Sequence, residues 1–273
     1  MSVKIDASGR RSVQVEVEVP GTPEQVWEAI ASGPGVSAWF VPTDIDARVG
    51  GKIISHFGPG MDAIATITEI DVPHRLVADC PDFAQGGPTV ATEWIVEAKD
   101  GGTCVVRVVH SLFASTDDWD NQLTGVETGW PAFFRILRLY LTHFAGQPSA
   151  LVQAAGMSPV GEAATFDALA GSLGLTGAAI GETRTAPAGG PALSGVVEDF
   201  REGAHPYALL FLEKPQAGAA ALNICPMGEQ SYMVISLYLY GPNAAATKAE
   251  IEPQWNAWLG ERFPAAKPAG NPA

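Results

Sequence analysis

The sequence predicts an α+β fold: a curved antiparallel sheet wrapped around a long C-terminal helix, followed by a shortened second copy of the same plan. Three observations carry this. Gly129 to Phe144, GWPAFFRILRLYLTHF, repeats Trp130, Phe133, Phe134, Leu137, Tyr140, Leu141 and Phe144 at helical spacing, so one broad apolar stripe faces a core while Arg135 and Arg138 face water. The stretch before it alternates apolar and polar residues in short runs parted by turn residues, which is the pattern of strands. From about Met157 the same order of elements recurs in a worn form.

Taken in order, Ser12 to Val19 places Val13, Val15, Val17 and Val19 on one face and Gln14, Glu16 and Glu18 on the other, a half-buried first strand. TPEQVWEAIAS follows, with Thr22 as N-cap, Pro23 as first helical residue and Gln25 completing a capping box; Val26, Trp27 and Ile30 form its buried side. That helix stops at Ser32-Gly33-Pro34-Gly35, and Val36 to Phe40 reads as a short helical piece ending in Trp39-Phe40. Asp44 to Val49 and Lys52 to Phe57 form a hairpin through Gly50-Gly51. Ala63 to Ile70, Arg75 to Cys80, Val90 to Glu97 and Thr103 to Leu112 are further strands, and Pro131 fits the first turn of the long helix.

Composition excludes several classes. The chain has 273 residues, 47% hydrophobic and 17% charged, enough for two ordinary globular domains. Its formal charge of -14 opposes association with nucleic acid or an anionic membrane surface. No apolar run reaches membrane-spanning length, and Met1 to Arg11 lacks the apolar centre of a secretory signal, so a cytoplasmic location is expected. Cys80, Cys104 and Cys225 are odd in number and far apart, which suggests buried small apolar residues rather than a disulfide framework or zinc cluster. With no HExxH, CxxC, GxGxxG or P-loop, neither a metal nor another cofactor is expected.

Strand parity selects the candidate site. Glu93 and Glu97 share an outer face, so Thr92, Trp94 and Val96 point inward; Arg107 likewise marks the outside, so Cys104, Val106, Val108, His110 and Leu112 point in. Trp94, His110, Trp130, Phe133 and Phe134 then share an interior. His110 is the titratable candidate, although a lone inward histidine is more often a hydrogen-bonded core group. Ser111 falls on the opposite face, and parity leaves open whether Ser55 or His56 points inward. His74, His143 and His205 sit at turns or helix ends and are expected in solvent. Asp117, Asp118 and Asp120 read as a solvated acidic loop before the long helix.

The segments VEVPGTPEQVWEAI, AWFVPTDIDARVGGKI, ITEIDVPHRLV and TGWPAFFRILRLYL, in that order and spacing, resemble the SRPBCC or START-like helix-grip superfamily, most closely its branch related to the activator of the 90-kDa heat-shock-protein ATPase. The resemblance spans roughly Ser12 to Phe144. It implies a cavity between sheet and long helix, used in the superfamily for hydrophobic ligands, without implying one reaction. Members of this branch often carry a histidine shortly before the Gly-Trp, where this chain has Glu127-Thr128.

In the second half, EAATFDALAGSLGL echoes PEQVWEAIASGPGV, HPYALLF echoes VPHRLVA and EPQWNAWL echoes ETGWPAFF, pairing Phe166 with Trp27, Pro206 with Pro73 and Trp255 with Trp130. Leu193 to Asp199, Tyr207 to Glu213, Ala219 to Ile224 and Tyr232 to Tyr240 read as strands. Ala245 to Phe263 is the closing helix, with Ile251, Trp255, Trp258 and Leu259 on its face. Domains are placed at 1–146 and 157–273, with a linker at about 147–156, a loop or edge at Gly177 to Ala192 and a loose tail from Pro264.

The leading functional expectation is binding of a small hydrophobic molecule, without defined catalysis, in a pocket of a few hundred Å3 lined by Trp39, Phe40, Trp94, Val108, His110, Trp130, Phe133, Phe134 and Leu137. One alternative is a co-chaperone-like or stress-response module that binds a chaperone or other protein. Another is a cyclase or hydrolase using His110 or Glu127 as acid or base.

Overall fold

The computed structural model describes residues 3–58, 60–81, 87–113, 120–203, 205–228 and 230–264, with the backbone only for residues 113, 120–122 and 124–128. Two compact units result, Met1–Gly146 and Gln147–Ala273.

The first unit runs β1 (Lys4–Ile5), β2 (Arg10–Pro20), α1 (Pro23–Ala31), α2 (Gly33–Ser37), β3 (Thr43–Ile45), β4 (Lys52–His56), β5 (Asp62–Asp71), β6 (Arg75–Cys80), β7 (Val90–Lys99), β8 (Thr103–Phe113) and α3 (Asp120–His143). Its sheet order is β1-β2-β8-β7-β6-β5-β4-β3, so a meander from β3 to β8 is joined at its last strand by β2. That join keeps register from Arg10↔Phe113 to Pro20↔Thr103, which puts the valines of β2 on the same face as Val106, Val108 and His110. α3 packs on β2, and this is the helix-grip arrangement.

Local chemistry starts α1 where the capping signal lies. Thr22 Oγ1 accepts from the Gln25 N–H at 3.4 Å, and Gln25 Oε1 accepts from the Thr22 N–H at 3.0 Å. Ser32 both ends α1 and caps α2: its Oγ donates to the Glu28 carbonyl at 2.8 Å and accepts from the Gly35 N–H at 3.0 Å. The Ser32 to Gly35 stretch therefore does not merely end a helix, because the next one begins inside it.

Three expectations are corrected. The Gly50-Gly51 hairpin is not a two-residue turn, since β3 ends at Ile45 and β4 begins at Lys52. Gly51 serves a close backbone approach instead: a Cβ there would lie 1.9 Å from the Asp46 carbonyl oxygen. The long helix begins at Asp120 rather than Gly129, which takes Asp120 out of the entry loop and leaves Pro131 inside the helix. An interior proline costs about 3 kcal/mol, and the early turns also carry Gly125 and Gly129. Packing offsets this. Leu123, 2% exposed, joins Val13, Val90 and Leu112 in one apolar cluster, two helical turns before Trp130 on the same face. Finally, much of the stretch read as linker is a strand, β9 (Ser149–Ser158), so the second unit begins well before residue 157.

The second unit continues with α4 (Glu162–Ser172), β10 (Thr183–Thr185), β11 (Ser194–Arg201), β12 (Tyr207–Lys214), β13 (Gly218–Met227), β14 (Gln230–Tyr240) and α5 (Ala244–Arg262). Its sheet order is β10-β11-β12-β13-β14-β9, and β9 pairs with the last strand, β14, as β2 pairs with β8 in the first unit. α5 packs on β9 as α3 packs on β2. The connectivity of the first unit is thus repeated with fewer strands and one fewer short helix before the meander. Phe166, Trp255, Trp258 and Leu259 are buried in its core. Cys80 and Cys104 are buried, but Cys225 is exposed, contrary to the expectation for all three.

Leu123→Ala should destabilise the first unit by about 2–5 kcal/mol in urea unfolding of the full chain. A loss below about 1 kcal/mol would show that the early turns of α3 do not dock on the sheet.

Candidate functional site

The site lies between the sheet of the first unit, the α1–α2 pair and α3. Trp39 lies two residues after the end of α2 and is 1% exposed; its Nε1 donates to the Ala29 carbonyl at 2.8 Å, fixing the indole to the last turn of α1. Ser37 ties the same segment to β3, its Oγ accepting from the Thr43 N–H at 2.9 Å. Inward positions of β7 and β8 present Trp94 and His110, and α3 presents Trp130. These rings interlock. Trp130 stacks on Phe40 at 5.4 Å, lies nearly coplanar with His110 with ring centres 5.7 Å apart, and meets Trp94 edge-on at 5.1 Å.

Between them is a cavity of about 150 Å3, lined by Trp39, Phe40, Trp94, His110 and Trp130. Thr43, Ser55 and Thr92 add hydroxyls to its wall, and Ala65 and Ala78 leave the space that larger side chains would fill. Phe57 lines the cavity and is 43% exposed, which places the mouth beside β4. The volume is smaller than the few hundred Å3 expected, because the aromatic rings fill much of the room between sheet and helix.

His110 is 5% exposed and held on both sides. Trp130 Nε1 donates to its Nε2 at 2.8 Å, and Thr92 Oγ1 lies 3.0 Å from its Nδ1. An indole nitrogen can only donate, so Nε2 must be the unprotonated nitrogen and Nδ1–H donates to Thr92. Burial pushes the imidazole pKa down to about 4. The ring is therefore neutral near pH 7, and its one lone pair is already used.

The other candidates are placed differently. Val108 and Leu137 are fully buried in the packing and Phe134 is 2% exposed, its ring 5.5 Å from Trp130. Phe133 is half-buried and meets Phe40 edge-on at 4.6 Å. None of these four is among the cavity-lining residues. The Glu127 side chain, Asp117 and Asp118 lie outside what is described. Ser55 faces the cavity, whereas His56 points outward between Asp62 at 2.9 Å and Asp44 at 3.2 Å, whose hydrogen bonds raise its pKa. Ser111 is on the far face and accepts from Arg10. His74, His143 and His205 are exposed.

Sequence reasoning left Ser55 undecided against His56 and missed Thr43, Ala65 and Ala78; small and hydroxyl residues at inward strand positions were the available signal. Among the described residues no group of three or more His, Cys, Asp or Glu side chains could hold a metal ion.

Because the folded pKa of His110 lies below the unfolded value near 6.5, the unfolded chain binds the extra proton first as pH falls. The stabilisation is complete above about pH 6.5 and is lost as pH falls toward about 4, a change on the order of 3 kcal/mol. His110→Gln keeps an acceptor for Trp130 but does not titrate, so its urea midpoint should fall less over this range than that of the unaltered protein. Equal pH dependence in both would contradict a buried neutral His110.

Residues 20–142 match the model of the family described as Activator of Hsp90 ATPase homolog 1-like protein. A search of curated proteins returns no significant match. Among solved structures, CalU16 from Micromonospora echinospora is 19% identical, with 52% of this chain and 83% of that chain covered and a TM-score of 0.42. The Aha1 dimer from Colwellia psychrerythraea is 20% identical over 48% of this chain and 95% of that chain, at 0.40. The di-domain ARO/CYC BexL from the BE-7585A biosynthetic pathway is 13% identical over 94% of this chain and 100% of that chain, at 0.44. The family model falls wholly within the first compact unit, and that unit is a domain of the Activator of Hsp90 ATPase homolog 1-like family.

Proposed function

We propose that the first unit binds a small hydrophobic molecule in the cavity between its sheet and α3. The observation that carries this reading is the cavity itself: aromatic walls, three hydroxyl residues and a mouth at Phe57. Such a combination of apolar surface and a few placed polar groups is what a small-molecule site needs.

Volume sets the class of occupant. Ligand pockets usually span about 300–1,000 Å3, and this one holds about 150 Å3. An engineered apolar cavity of about that size binds benzene. The occupant is accordingly one aromatic ring, or the ring end of a longer molecule that leaves through the mouth. Thr43 Oγ1 and Ser55 Oγ, 3.4 Å apart, are placed to meet a hydroxyl or carbonyl on it.

His110 is a wall and not a proton shuttle in this reading, since its basic nitrogen is taken by Trp130 and its pKa is depressed. Binding without turnover is therefore favoured over a cyclase or hydrolase built on His110. A protein-interaction role draws on the family description and on Phe57, Met61 and Ile64, which are exposed on and around β4 and β5.

Titration with p-cresol should change the emission of the cavity tryptophans saturably. Ala78→Leu, which fills the space, should weaken that binding by about tenfold or more, the equivalent of about 1.4 kcal/mol. Unaltered affinity in the filled variant would remove the ligand from this cavity.

A further inference from the structure

The first unit has a second and larger opening that this function does not use. On the other side of α3, at the β2 edge of the sheet, is a cleft of about 470 Å3, within the range of ordinary ligand pockets. Its residues and those of the aromatic cavity do not overlap. Phe134 lies between the two, lining the cleft with its ring 5.5 Å from Trp130.

The cleft exists because β2 is only partly covered. β1 pairs with Arg11 and Ser12 alone, so from Val13 onward β2 has no further strand on its outer side among the described residues. Val15 and Val17, turned to the helix side by register with Val108 and Val106, remain half-exposed beneath α3. With Val13, Pro131 and Phe134 they give the cleft an apolar floor.

Its rim is cationic, in a chain whose net charge is -14. Lys4 comes from β1, and Arg135 and Arg138 come from α3, three residues apart and on one face. Lys4 and Arg138 are exposed, and among the described residues neither has an ion-pair partner. The acid on the rim, Glu16, lies 3.1 Å from the Nε of Arg107, a guanidinium it shares with Glu97. The cleft lining thus carries three cations, Lys4, Arg135 and Arg138, against one acid, Glu16, in a chain that is acidic overall.

We infer that the β2–α3 cleft is a binding site for an amphipathic anion, with an unbranched apolar tail laid over Val13, Val15, Val17 and Phe134 and its carboxylate at Arg138 and Lys4. An apolar floor favours the tail, and a charged head excluded from the aromatic cavity is matched here by cations. This site is independent of the proposed aromatic-ring site, and each can fail without the other.

Calorimetric titration of the full chain with decanoate tests it. Decanoate should bind saturably, more weakly as salt rises, and decanol should bind about tenfold or more less tightly because it lacks the charge. Arg138→Glu and Lys4→Glu, both on the surface and checked for folding by circular dichroism, should each weaken decanoate by about tenfold. Ala78→Leu should leave decanoate unaffected. No decanoate binding, equal affinity for decanol, or indifference to both charge reversals would overturn the inference. Loss of decanoate binding in Ala78→Leu would also overturn it, by placing the tail in the aromatic cavity.

Discussion

The first unit depends on the hydrogen bond from Trp130 to His110. It joins the inner face of β8 to α3 across the layer where the two would otherwise meet only through apolar contact, and it does so at 2.8 Å between two buried rings whose planes differ by only 19°. A buried imidazole is costly unless both nitrogens are satisfied. Trp130 meets one nitrogen and Thr92 the other, so strand β7, strand β8 and helix α3 are held by one polar chain. Apolar packing alone tolerates sliding of a helix over a sheet, whereas a satisfied polar pair fixes a register.

That fixed register shapes the cavity. With Trp130 oriented by His110, its face is available to Phe40 and its edge environment to Trp94, and the remaining room is what Ala65 and Ala78 leave open. The same bond removes the imidazole from acid–base chemistry. A histidine pointing into an aromatic pocket resembles a catalytic group, yet here its lone pair is spent on structure. Away from the cavity, the helix covers β2 incompletely, and it carries arginines beside the half-exposed Val15 and Val17. One helix thus bounds two openings of different character, one small and aromatic, the other larger, apolar below and cationic above.

Much of this was legible in the chain. The capping box at Thr22, the alternation in β2, β7 and β8, and the stripe from Trp130 to Phe144 each follow a short-range rule, and those rules suffice for the architecture and for His110 facing inward. The early turns of α3 were not legible, because Gly125, Gly129 and Pro131 all argue against a helix and Leu123 argues for one only once Val13, Val90 and Leu112 are known to surround it. β9 was hidden for a related reason. SALVQAAGMS has little strand propensity, and it is a strand because it pairs with β14 from Ser149↔Tyr240 to Ser158↔Ser231. Cavity volume was illegible as well, since it depends on how the rings tilt against one another.

The state of His110 is the most direct measurement. Nitrogen NMR of the imidazole in the intact protein should show a neutral ring at pH 7, protonated at Nδ1 and bare at Nε2, that stays neutral to well below pH 6. A proton on Nε2, or an imidazolium at neutral pH, would contradict the Trp130 bond and with it the origin given for the cavity.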